Sequence, residues 1–216
     1  MKKKYGRRNF INTAIAGGIG LGLSNSFSAL YAQSGASQKR IGIIGLDTSH
    51  SIAFTKALNA AGASADFKGY KVVAAYPKGS NDIISSAERI PGYTEEVKKL
   101  GVEIVSSIKE LLKKTDYILL ETNDGRLHLQ QALEVIKAGK PMFIDKPIAA
   151  SLKDAVAIFK AAEQNKVPVF SSSSLRFMTS AQEVAKGKVG KVLGADCYSP
   201  AHLEKTHPDL FWYAIQ

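Results

Sequence analysis

Lys146 stands between Asp145 and Pro147, directly after the apolar run Met142-Phe143-Ile144. A lysine held there is badly placed for packing and well placed to meet a ligand, whose oxygen it can polarise or protonate. Asp145, at the same strand end, offers a carboxylate that can face the same ligand. A second polar group, Gly45-Leu46-Asp47-Thr48-Ser49-His50, follows the run Ile41-Gly42-Ile43-Ile44. A dinucleotide-binding turn would read G-x-G-x-x-G at this point. Gly45 is its first glycine. Asp47 takes the second place, where backbone normally approaches a pyrophosphate, and His50 takes the third, where a glycine lets helix and strand pack closely. Two outcomes fit that pattern. Either the Asp47 carboxylate repels a pyrophosphate, or Thr48, Ser49 and the helix N-terminus cradle it while Asp47 or His50 contacts something else. Tyr76 ends the second strand where an acidic residue would grip an adenosine ribose; Lys78 and Ser80 beyond it are either 2′-phosphate ligands or ordinary loop residues. Thr122 and Asn123, after the fourth strand, can contact a nicotinamide or a substrate hydroxyl, with helix capping by Asn123 or Asp124 as the competing role. His128, one turn later, is a ligand-facing group or a satisfied helix histidine on equal terms.

Bringing these residues to one edge requires strands and helices in strict alternation, and the apolar runs supply it. Strands are expected over 40–45, 71–76, 102–105, 117–121, 141–145 and 167–170. Helices are expected over 51–61, 82–89, 94–100, 107–113, 127–138, 152–164 and 181–186, with a turn at Pro91-Gly92 and Gly139 just past a helix end. Ser151 is a cap, with Asp154 facing the exposed amides. The polar run 171–174 is expected to line the site, and 192–198 to begin a strand of a second domain. The fold class is therefore α/β: a Rossmann-like doubly wound parallel sheet over 39–170, then the incomplete start of an α/β substrate domain over 171–216. There is no internal repeat.

Charge and composition narrow the classes further. The formal balance is +10, but Lys2, Lys3, Lys4, Arg7 and Arg8 supply five of the 29 basic residues with no acid before Asp47; without them it is +5, spread along the chain. No nucleic-acid partner is expected from so dispersed a charge. Residues 1–33 read as an export signal: a basic start, a glycine-rich apolar stretch from Ala14 to Leu23, and small residues toward Ala32. The stretch is too short for a stable membrane span. Arg7-Arg8-Asn9-Phe10-Ile11 resembles the twin-arginine pattern, which carries folded proteins out of the cytoplasm, so a periplasmic or other extracytoplasmic location is expected. Cys197 is the only cysteine and excludes an intrachain disulfide. His202, Glu204 and His207 have metal-ligating side chains but no defined scaffold, and no metal centre is expected.

Several motifs taken together resemble the Gfo/Idh/MocA oxidoreductases: Thr115-Asp116 before its apolar strand, Asn123, His128, Ala138-Gly139-Lys140-Pro141, Asp145-Lys146-Pro147, Ser174-Leu175-Arg176-Phe177, and Gly187-Lys188-Val189-Gly190-Lys191-Val192. The resemblance runs over about residues 39–200. It implies an N-terminal Rossmann domain binding NAD or NADP, a C-terminal α/β domain with an open sheet, and an oxidoreductase of a sugar, inositol or related polyol. Some exported members hold a non-dissociating cofactor and use it in redox-neutral steps such as glycosidic bond cleavage. Lys146 matches the lysine that contacts the substrate hydroxyl and the nicotinamide region, with Asp145 in place of the more common Glu. Arg176 and His202 fall on the substrate side. The family's later Asp-x-x-x-His pair falls on Trp212 and Gln216, which shuttle no proton. The alternatives are a non-catalytic carbohydrate-binding homologue and an inactive fragment truncated in its second domain. Homo-oligomerisation of the full-length protein is compatible with the family.

Overall fold

The computed structural model describes residues 39–81 and 83–196. The export signal expected over 1–33, together with Cys197, His202, Glu204, His207, Trp212 and Gln216, lies outside the described residues. The chain runs β1 (Lys39–Ile44), α1 (Ser49–Asn59), a short 3-10 turn (Ala65–Phe67), β2 (Tyr70–Tyr76), α2 (Ile84–Lys99), β3 (Glu103–Ile104), α3 (Ile108–Lys114), β4 (Tyr117–Leu120), α4 (Gly125–Lys137), β5 (Met142–Ile144), α5 (Leu152–Gln164), β6 (Val169–Phe170), a second 3-10 turn (Ser174–Phe177) and α6 (Thr179–Ala185). The six strands pair in parallel in the order β3-β2-β1-β4-β5-β6. This is the doubly wound arrangement, and its order reverses between β1 and β4.

Alternation along the strands divides the core between two faces. Ile41 and Ile43 of β1 join Val72 and Ala75 under Ile52 of α1 and Val97 of α2. Ile44, Ile118, Leu120, Met142 and Ile144 face the other way, against Leu111 of α3, Val135 and Ile136 of α4, and Ile158 of α5. Gly42 lets α3 settle on β1: a Cβ there would lie 2.9 Å from Leu111 Cγ. Local capping sets several helix boundaries. Ser151 Oγ accepts the Asp154 amide at 3.1 Å, and Ser107 Oγ accepts the Glu110 amide at 3.2 Å. Such a cap is worth about 1 kcal/mol.

Two expectations fail in the structure. The turn at Pro91-Gly92 is absent, and a single helix α2 carries Pro91 in its interior. An interior proline loses one backbone hydrogen bond and costs about 3 kcal/mol, so tertiary packing must offset it: Ile83, Ser86 and Val97, spread along this segment, are each 0% exposed. Residues 192–196 form no strand. A strand needs a pairing partner, and among the described residues none pairs with them. No described helix is long and apolar enough to cross a membrane.

Candidate functional site

The carboxyl ends of β1, β4 and β5 converge at the point where strand order reverses, and their loops carry the expected polar residues. Gly45 leaves β1 with φ +90, and a Cβ on it would stand 2.5 Å from the Thr122 amide nitrogen. Only glycine allows both that conformation and that approach. Leu46 and Asp47 then turn inward, each 0% exposed. Asp47 Oδ1 accepts the Asn123 amide at 3.0 Å. Gly79, in the loop after β2, packs so closely that a Cβ would lie 2.0 Å from Asp47 Oδ2. Burial raises the Asp47 carboxyl above its ordinary range, opposed by the Asn123 amide, the Ser86 hydroxyl and the Ser80 amide. Its side chain thus ties together the loops after β1, β2 and β4.

Helix α1 begins at this loop. Thr48 caps it, its Oγ1 accepting the His50 amide at 3.4 Å, and no acidic residue occupies the first turn. Ser49 is exposed, so the amides there are open to an anion. The buried Ser51 hydroxyl donates to the Gly45 carbonyl at 3.0 Å and fixes the turn. His50 reaches across the sheet edge, with Nδ1 2.5 Å from Asp145 Oδ2. The histidine side chain is 36% exposed and the carboxylate 7%. Lys146, half-buried, follows Asp145 through a cis bond to Pro147.

At the end of β4, Glu121 is 0% exposed and neither of its carboxylate oxygens has a hydrogen-bond partner. Burial pushes this carboxyl well above its usual range; the charges of Asp145 and Asp47 add to the rise, and Lys146 opposes it. Thr122 and Asn123 are buried beside it. Asp124 caps α4 through the Arg126 amide at 3.0 Å and pairs with the Arg126 guanidinium at 2.7 Å. His128 is fully buried, its Nε2 2.6 Å from the Thr122 carbonyl and its Nδ1 3.1 Å from the Ile148 carbonyl. It joins the loops after β4 and β5.

Two cavities flank this edge. One of about 510 Å³ is lined by Tyr76, Lys78, Ser80, Arg126, Gln130 and Gln131. Its volume suits a nucleoside-sized ligand, and its cations are Lys78 and Arg126. The other, about 520 Å³, is bounded by His50, Phe54, Asp145, Ser172, Ser173 and Phe177. Here Phe143 stands edge-on to Phe54 with ring centres 5.9 Å apart and tilted against Phe170 at 5.2 Å. Arg176 is exposed on the turn nearby, and its carbonyl accepts Gln182 Nε2 at 2.6 Å. Glu121 and the pairing of His50 with Asp145 were not anticipated. A glutamate closing the apolar run Tyr117-Ile118-Leu119-Leu120 is a sequence signal for the first; only the fold reveals the second.

Glycine turn, open helix N-terminus and nucleoside-sized cavity lie along the switch point of a parallel sheet, where dinucleotides bind, and the residues fit such a cofactor. Together they define a dinucleotide-binding Rossmann domain. Residues 39–173 match the Gfo/Idh/MocA oxidoreductase family with its NAD-binding Rossmann fold, and the chain belongs to that family. It is 30% identical over 129 residues to 1,5-anhydro-D-fructose reductase of Ensifer adhaerens, covering 56% of this chain and 38% of that enzyme. An uncharacterised oxidoreductase of Streptococcus pneumoniae is 25% identical over 126 residues, covering 55% of this chain and 34% of that protein. Among solved structures, the WlbA dehydrogenase of Bordetella pertussis in complex with NADH and UDP-GlcNAcA superposes with a TM-score of 0.55 at 23% identity, covering 70% of this chain and 42% of that one. UDP-N-acetylglucosamine 3-dehydrogenase of Acidithiobacillus ferrooxidans gives 0.52 at 19%, covering 68% and 41%. The chain therefore spans about two-fifths of the length of these relatives.

Proposed function

We propose that this chain is the cofactor-binding part of an exported NAD(P)-dependent oxidoreductase acting on a sugar, inositol or related polyol, with Lys146 as the residue that handles the substrate hydroxyl. One observation carries the reading: Lys146 follows the His50-paired Asp145 at the carboxyl end of β5, beside the switch point and its open helix N-terminus. A bound nicotinamide supplies the acceptor or donor of hydride. The chain's own contribution is to place the substrate. Lys146 Nζ holds the hydroxyl oxygen and takes or returns its proton as the carbonyl forms or is reduced. Asp145, fixed by His50, limits where that lysine can stand. The amides of Thr48 and Ser49 would hold the pyrophosphate, and the cavity beside Tyr76 would take the adenosine end. Relatives named for anhydrofructose and nucleotide-sugar substrates support the carbohydrate class. The twin-arginine-like start supports export, and a cofactor bound before export would accompany the protein.

Purified full chain is titrated with NADH and NADPH, and the bound nicotinamide is followed by fluorescence. Saturable binding of one dinucleotide per chain is expected, and Lys146→Ala should retain it while losing any turnover by at least about 100-fold. A chain that binds neither dinucleotide, and releases none on acid extraction, would sink the reading.

A further inference from the structure

Two acids are buried at the sheet edge, and one of them has no hydrogen-bond partner for either oxygen. Glu121 is completely buried with both oxygens unpartnered, and an uncompensated buried carboxylate is costly. Asp145, 5% exposed, adds a second charge close by. The third group is an imidazole, His50, whose Nδ1 stands 2.5 Å from Asp145 Oδ2. One ligand atom from each of His50, Glu121 and Asp145 lies within 4.8 Å of the others.

We propose that His50, Glu121 and Asp145 form a binding site for a divalent transition-metal ion of the zinc or manganese type. Bonds of about 2.0–2.2 Å to a tetrahedral ion place ligand atoms about 3.3 Å apart, so shifts of roughly an ångström convert the cluster into a coordination shell. The three ligands come from three separate elements, the start of α1 and the ends of β4 and β5, which fixes their geometry through the sheet. Mixed nitrogen and oxygen donors select against magnesium and calcium, which take all-oxygen shells. An ion neutralises the two carboxylates and gives the unpartnered Glu121 oxygens a ligand. Three protein ligands leave a further position open, and the exposure of His50 puts it on the solvent side, where a substrate or phosphate oxygen can enter. The site shares His50 and Asp145 with the proposed placement of Lys146, but metal uptake requires no dinucleotide, so the two readings fail separately.

The test uses purified full chain, stripped with chelator and titrated calorimetrically with Zn²⁺ and, separately, Mn²⁺. One ion per chain is expected, with a melting temperature that climbs as the free ion concentration rises. Glu121→Gln keeps the shape of the buried side chain and should weaken binding at least about 100-fold while the stripped protein still melts cooperatively. His50→Asn, at a partly exposed position, should do the same if the first variant folds poorly. A wild-type chain that takes up neither ion at this stoichiometry overturns the proposal. So does undiminished affinity in both variants, which would place the ion on other side chains.

Discussion

Asp47 directs its carboxylate into the protein, and this has a measurable cost. Burial raises its folded-state pKa above the ordinary carboxylate value, so the protonated form favours folding. The stabilisation is complete below the unfolded-state pKa and is lost as pH rises through the folded-state value. Urea unfolding of the full chain should show stability falling as pH climbs from the ordinary carboxylate range, with this residue adding at most about 1.4 kcal/mol per pH unit. Asp47→Asn keeps an oxygen for the Asn123 amide and should flatten that slope; an unchanged slope would show that Asp47 ionises without penalty. The sequence places Asp47 in the phosphate turn but is silent on where its side chain points. The answer comes from Gly79, in a loop 32 positions away, whose missing side chain makes room for the carboxylate. His128 behaves similarly: its helix is legible, but its two carbonyl neighbours come from the separate loops at Thr122 and Ile148.

The helix read most accurately from sequence is one bounded by its own side chains. α5 runs from the residue after Ser151 to Gln164, because the cap and the Asp154 amide are only three residues apart. α2 is the opposite case. Proline and glycine in succession signal a turn, yet the segment stays helical through Pro91 and Gly92 because buried positions along it pack against the domain. If that packing overrides an intrinsic penalty, Pro91→Ala should stabilise the fold by roughly 1–3 kcal/mol, measured by urea titration. A loss of stability instead would mean that the proline ring contributes packing of its own. Parallel pairing was also legible, since alternating apolar runs and helices imply parallel strands joined by right-handed crossovers; the strand order came from the structure.

Across the described molecule, exposed large apolar side chains include several around and after β6: Phe170 is 60% exposed, Leu175 61%, Phe177 69% and Leu193 88%. β6 is also an edge strand, with β5 on one side only. Exposed apolar side chains beside an open edge favour association. Sedimentation velocity should therefore show concentration-dependent self-association of this chain, reduced by the pair Phe170→Lys and Phe177→Lys; a monomer at all concentrations would contradict it. The sequence by itself determined the doubly wound class, the family and the three loops that meet at the site. Each of these is encoded within short stretches by apolar periodicity, capping residues and the Asp145-Lys146-Pro147 signature. Only the tertiary structure decided that Asp47 is buried, that His50 pairs with Asp145 across 95 positions, and that Glu121 lies unpartnered beside them. Those facts depend on which loops the parallel sheet brings together, and side-chain direction and desolvation at such a junction are set by neighbours distant in the chain.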